Sequence, residues 1–191
     1  MIDLTKIQTG DIMFLRVRWN PWNIKTYLSR LINFGINFWA GLSKYLFNTD
    51  YTYCPLNHVG IFINDNGTVY LCEADELGFT KKLASNRLSN IKNNDIWVKR
   101  FDNLTNVEQN IDKLIGTKYD YPFLVREFFD LLTDKKFEKS KMHSFKKGVC
   151  SNIVAKILNL SNPELCKDSY NYTPKDVYFE EGGNLLTNIY K

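Results

Sequence analysis

Residues 57–74 read NHVGIFINDNGTVYLCEA. An apolar run, a turn-forming cluster at Asn64, Asp65, Asn66 and Gly67, and a second apolar run predict a β-hairpin. Side chains alternate along a strand, so His58, Gly60 and Phe62 share one face, and Val59, Ile61 and Ile63 the other. On the return strand Val69, Leu71 and Glu73 share a face, opposite Tyr70, Cys72 and Ala74. A four-residue loop over 64–67 sets Ile63 against Thr68 and His58 directly across from Glu73. A tighter Asn66-Gly67 turn instead pairs His58 with Asp75, on the same face. Either register puts an imidazole beside a carboxylate, within reach of a hydrogen bond. Such a partner orients a histidine and stabilises its charged form. On an arbitrary hairpin the same pair is only a surface contact, so the flanking sequence has to decide.

Upstream, residues 5–18 (TKIQTGDIMFLRVR) turn at Gly10-Asp11 and continue as a strand. Ile12, Phe14 and Arg16 face one way, Met13, Leu15 and Val17 the other, which predicts a strand covered on both faces. Residues 23–47 then place apolar side chains at 24, 27, 28, 31, 32, 38, 39, 42, 45 and 46, at helical spacing broken by Gly35. Trp19, Trp22, Phe34, Phe38, Trp39, Tyr45 and Phe47 make this stretch very aromatic. It reads as one helix or a hinged pair packed on the core, or else as a lid over a hydrophobic groove or an interfacial helix that touches lipid.

Downstream, residues 75–94 read as a polar connector containing Gly78, Lys81, Lys82 and Arg87, and 95–100 (DIWVKR) as a strand. A helix is expected over 105–115, with Thr105 as its cap and Glu108 three residues on. It stops at Gly116. Pro122 suits the first turn of another helix running to 132, and 133–147 is a charged loop. In GVCSNIVAKILNL, residues 151–160 carry Ile153, Val154, Ile157 and Leu158 on one face, so Cys150 lies at a helix N-terminus. Thr173-Pro174-Lys175-Asp176 marks a turn or helix start.

The 191 residues fit one domain over 1–191, with 20–50 as a helical insertion, and 44% hydrophobic content makes it globular rather than disordered. A net charge of +4, with no long basic helix, gives no reason to expect nucleic acid. Cys54, Cys72, Cys150 and Cys166 form neither a CxxC nor a disulfide framework. No apolar run of about 18 residues occurs, and Met1 leads straight into polar sequence. The expected setting is therefore the reducing cytoplasm, unless a phage or another route delivers the protein elsewhere.

A thiol is nucleophilic as its thiolate, and its pKa falls near a helix N-terminus or an imidazolium. Backbone N–H groups at the helix start also point to where an oxyanion would form. Glu73 would hold His58, His58 would take the thiol proton, and Cys150 would attack a carbonyl. Taken alone, Cys150 is as readily a small buried hydrophobe, the class of Cys54 and Cys72. Cys166 reads as a bystander, and His143, in the charged loop, as solvated. A zinc site from His58, Cys72 and Cys150 is conceivable, but no pair of these ligands has the usual close spacing.

GDI at 10–12, NHVGIFI at 57–63, CEA at 72–74, GTKYDY at 116–121, CSNIV at 150–154 and TPKDVY at 173–178 occur in that order. This series resembles the circularly permuted papain-like cysteine hydrolases, the YiiX-like branch of the NlpC-type superfamily, related to the lecithin:retinol acyltransferase group. There the His and carboxylate strands come first and the Cys helix late. The resemblance implies an α+β fold, with a small antiparallel sheet and the nucleophile helix packed against it. It implies cleavage or transfer at an amide, ester or thioester carbonyl without metal or organic cofactor, with Cys150 as nucleophile, His58 as base and Glu73 as orienting carboxylate. Tyr119 and Tyr121 would line or support the site, joined by Trp39 of the aromatic insertion, a segment that departs from the family pattern. Substrates of the group include cell-wall peptides and lipid-linked acyl chains. The readings that follow are a cysteine amidase or peptidase, a lipid acyltransferase working at a membrane surface through 23–47, and a catalytically silent binding module.

Overall fold

The sheet grows outward from the hairpin. In a computed structural model, described here for residues 2–16, 56, 58–75, 77–89, 91, 95–120, 122, 147–167, 172–187 and 189, the hairpin is β2 (His58–Asp65) and β3 (Thr68–Asp75). Asp65 pairs with Thr68, so the turn is the two-residue Asn66-Gly67. Both residues have positive φ, 50° and 90°, which asparagine and glycine tolerate and most side chains do not. This overturns the four-residue loop: Gly60, not His58, stands opposite Glu73. The side chain of Asn64 ties the turn down, accepting from Gly67 N–H at 2.9 Å and donating to Ile7 O at 2.7 Å.

β1 (Ile12–Leu15) lies against β2 on one side and β5 (Ile96–Phe101) on the other. β4 (Gly78–Leu83) extends the sheet beyond β3, and β8 (Gly183–Leu185) beyond β5. The order is β4-β3-β2-β1-β5-β8, with every neighbour antiparallel. All four residues of β1 are buried, as a strand covered on both faces requires. Ile12 and Phe14 join Val59, Ile61, Ile63, Cys72 and Ala74 in one apolar cluster. Met13, Leu15, Phe62, Val69 and Leu71 join the other.

The first cluster is closed by α3 (Cys150–Ser161), which contributes Ile153, Val154, Ile157 and Leu158. Against α3 lie α2 (Val107–Asp112) and α4 (Pro174–Phe179). Thr173 caps α4, and its side chain and amide are bound in return by Asp176. Buried Lys99 donates to the carbonyls of Tyr178 and Glu180, which moors the C-terminal end of α4 to β5. The second cluster is covered in part by α1 (Ala84–Leu88), through Ala84 and Leu88.

Three expectations need correction. The stretch 75–94 is not a plain connector, because it contains β4 and α1. Thr105 does not cap α2. Its amide and hydroxyl both donate to Ser161 O at 3.0 Å, and left-handed Asn106 precedes the helix instead. Glu108 is drawn away to Thr9. Lys147, assigned to the charged loop, belongs to a short strand β7 (Lys147–Gly148), parallel to β6 (Lys118–Tyr119). The aromatic insertion with Trp39, the helix expected to run to 132, Tyr121, Cys54 and His143 lie outside the described residues. Among the described residues, no helix is long and apolar enough to cross a membrane.

Candidate active site

Gly148 delivers the chain to α3. A Cβ there would come within 2.7 Å of Ile153 Cγ1, so only glycine lets β7 run this close to the helix start. β6 pairs alongside, with Tyr119 opposite Gly148 and the Asp120 amide donating to Gly148 O at 3.1 Å. Tyr119, half-buried against the first cluster, thus supports the segment that carries the thiol. The helix begins at Cys150. Val149 has no acceptor side chain to cap it, but Asn152 reaches back and accepts the Val149 amide at 2.7 Å.

His58 is the first residue of β2. By alternation it belongs with Phe62 on the second-cluster face, as Glu73 does with Leu71, whereas Cys150 sits in the first cluster. The three meet at the end of β2. His58 Nε2 lies 2.8 Å from Glu73 Oε2, and the ring is also hydrogen-bonded to Cys150. With Nε2 turned to the carboxylate, Nδ1 is the nitrogen left for the thiol. Glu73 is therefore reached on the diagonal, two residues from the position facing His58. Asp75, the alternative partner, is engaged by Lys82.

Electrostatics favour an ion pair. Burial works against a charged imidazole, but Cys150 and then Glu73 outweigh it and raise the His58 pKa to about 10. Burial likewise works against the thiolate, yet the hydrogen bond and charge of His58, with the amides of Val59 and Ser151, hold Cys150 below the ordinary thiol range. The β2–β3 ladder ends at Gly60, which leaves the Val59 amide for the sulfur. Glu73 is 1% exposed, and despite that burial His58 and then Arg87 lower its pKa to about 2. The other thiols differ: burial pushes Cys72 and Cys166 up to about 12, so both stay protonated.

Two site residues were not singled out from sequence. Arg87 Nε lies 2.5 Å from Glu73 Oε1, and Lys82 Nζ lies 3.6 Å from the same oxygen. Both come from the stretch read as a connector. The usable signal was the alternation of Thr80 and Lys82, which puts both on Glu73's side of the sheet. Among the described residues, no group of three or more His, Cys, Asp or Glu is placed to hold a metal ion. The His58 ring and both Glu73 oxygens are already committed to hydrogen bonds within the site.

No protein-family model and no curated protein matches the chain. Among solved structures, the chain is similar to one from Escherichia coli O157:H7 described as metalloprotein yiiX, DUF1105. The two share 17% identity with a TM-score of 0.49, over 94% of this chain and 96% of that one.

Proposed function

We propose that the protein is a cysteine hydrolase of permuted papain-like order, which cleaves an amide, ester or thioester through a Cys150–His58–Glu73 triad. The observation that supports this reading best is the unbroken hydrogen-bonded series from the thiol at the tip of α3, through the imidazole, to a buried carboxylate. The Cys150 thiolate attacks the carbonyl carbon and forms a C–S bond. The oxyanion faces the N–H groups that open α3, which no carbonyl one turn earlier can satisfy. The His58 imidazolium gives its proton to the leaving amine, alcohol or thiol as the substrate's C–N, C–O or C–S bond breaks. Neutral His58 then takes a proton from the water that attacks the thioester, and breaking the C–S bond releases the acid and regenerates the thiolate–imidazolium pair. Glu73 keeps the imidazole in the orientation this exchange needs.

Peptide-like and acyl substrates suit such a site equally. A panel of p-nitrophenyl esters, thioesters and peptide anilides, with mass spectrometry of trapped intermediates, tests the proposal. The expected result is turnover with an acyl adduct on Cys150 that disappears in Cys150→Ala. Turnover retained in Cys150→Ala would sink it. A wild-type protein that binds acyl compounds without an adduct or turnover would be a binding module.

A further inference from the structure

Arg87 has a placement that apolar packing alone does not require. α1 has only five residues, no side-chain cap and no acidic residue in its first turn, so it is marginal as a helix. Ala84 and Leu88, four residues apart, seat it on the second cluster. Arg87, three residues after Ala84, falls on the same side and is directed at the sheet. There its Nε meets Glu73 Oε1, while Glu73 Oε2 is turned to His58. Lys82 stands behind the same Oε1 but is bound to Asp75. The two oxygens of one buried carboxylate are thus divided between a guanidinium and an imidazole.

We infer that Arg87 is a positioning residue of this site, which grips Glu73 by one oxygen so that the other is aimed at His58. The inference rests on the acyl-transfer reading of Cys150 and adds a fourth member to its machinery. A lone carboxylate, 1% exposed, with only an imidazole for a partner is free to rotate or to take up a proton. Either event releases His58 from its orientation. A guanidinium keeps its charge at every working pH and binds through a planar edge, so it blocks both. Arg87 itself is 34% exposed, so removing it opens no cavity in the core.

The test is alkylation of Cys150 by iodoacetamide, followed by mass spectrometry from pH 4 to 10. It uses the full chain as wild type, Arg87→Met, Arg87→Lys and Lys82→Met, alongside 13C NMR titration of the Glu73 carboxyl carbon. In Arg87→Met the acid limb of the alkylation profile should move to higher pH, with the rate at pH 5 about tenfold lower, equivalent to one pKa unit. The Glu73 titration should rise with it. Arg87→Lys should recover most of the loss by restoring a cation, and Lys82→Met, which removes only the 3.6 Å ion pair to the same oxygen, should shift the acid limb less than Arg87→Met does. A purely structural ion pair would lower the melting temperature and leave the alkylation profile unmoved, and that result overturns the inference. An ordinary thiol profile in the wild type would instead overturn the reading of Cys150. In that case an unshifted Glu73 titration in Arg87→Met overturns the present inference as well, and a raised one upholds the grip on Glu73.

Discussion

Gly60 stands opposite Glu73 across the β2–β3 ladder, and its missing side chain leaves the space beside which the imidazole and the carboxylate meet. A Cβ at position 60 would lie 2.9 Å from Leu71 Cδ1, 3.1 Å from Cys72 O and 3.4 Å from Glu73 Cβ. Gly60→Ala must therefore displace β3 or the Leu71 side chain. The expected cost is about 1–3 kcal/mol in urea unfolding, the usual penalty for overpacking. A larger relative loss should appear in Cys150 alkylation, because Glu73 moves too. Unchanged stability and unchanged thiol reactivity would mean that the strands have slack at this point.

Glu73 and Asp75 lie on the same face of β3, but only Glu73 holds the imidazole. Glu73→Gln should lower turnover about tenfold or more while doing less harm than Cys150→Ala, since the amide still occupies the site but no longer stabilises imidazolium. Asp75→Asn should remain within about twofold, because the residue faces Lys82 at the margin. Steady-state rates on whichever ester is turned over separate the two; the reverse order would mean that the carboxylates exchange roles.

The ion pair has a definite pH window. Cys150 lies below the ordinary thiol range and His58 has been raised to about 10, so thiol reactivity should be high through neutrality and change near 10 as the imidazolium loses its proton. The stability signs follow from the same directions. His58 is raised above 6.5, so its contribution is complete below that pH and is lost as pH climbs through about 10. Glu73 is lowered from 4.5 to about 2, so its contribution is complete above 4.5 and is lost as pH falls through about 2. Melting temperatures against pH for wild type and His58→Gln should diverge below pH 10 and converge above it.

Asp11 is buried, and its two oxygens accept from Arg100 Nε and Nη2, each at 2.7 Å, with Gln8 N–H on Oδ2 at 2.8 Å. The turn held this way exchanges backbone bonds with Phe62: Gly10 N–H to Phe62 O at 2.9 Å, and Phe62 N–H to Asp11 O at 2.8 Å. Asp11→Ala takes the carboxylate from a guanidinium that then keeps Lys6 O as an acceptor, and should cost on the order of 3 kcal/mol. Calorimetry should then find a melting temperature lower by roughly 6–12 °C for a chain of this size. A drop of a degree or less would mean that the strands hold the turn unaided.

The alternation of 58–63 and 69–74 was enough to assign each side chain to its face, and the stripe of Ile153, Val154, Ile157 and Leu158 was enough to put Cys150 at a helix start. The register was not legible. Both candidate turns keep His58 and the carboxylates on one side, so only the positive φ of Asn66 and Gly67 distinguishes them. The diagonal reach to Glu73 depends on where the ladder stops, which no local pattern records. Arg87 was hidden because α1 is too short to show a period. β4 was hidden because, at the end of the sheet order, it carries polar Thr80, Lys81 and Lys82 on both faces. Thr105 misled for the opposite reason: its cap signal was sound locally, but Ser161 O claims the hydroxyl.

His58 and Glu73 belong to one hairpin, whereas among the described residues β4, α1, β5, α2, β6 and β7 separate Cys150 from them. On the ribosome the imidazole and its acid are therefore made well before the sulfur they meet in the fold. A nascent chain halted anywhere before α3 holds the imidazole and its carboxylate but not the thiol. On the reading proposed above, such a chain cannot acylate anything, because the nucleophile joins the site only after every strand of the sheet except β8 has been synthesised.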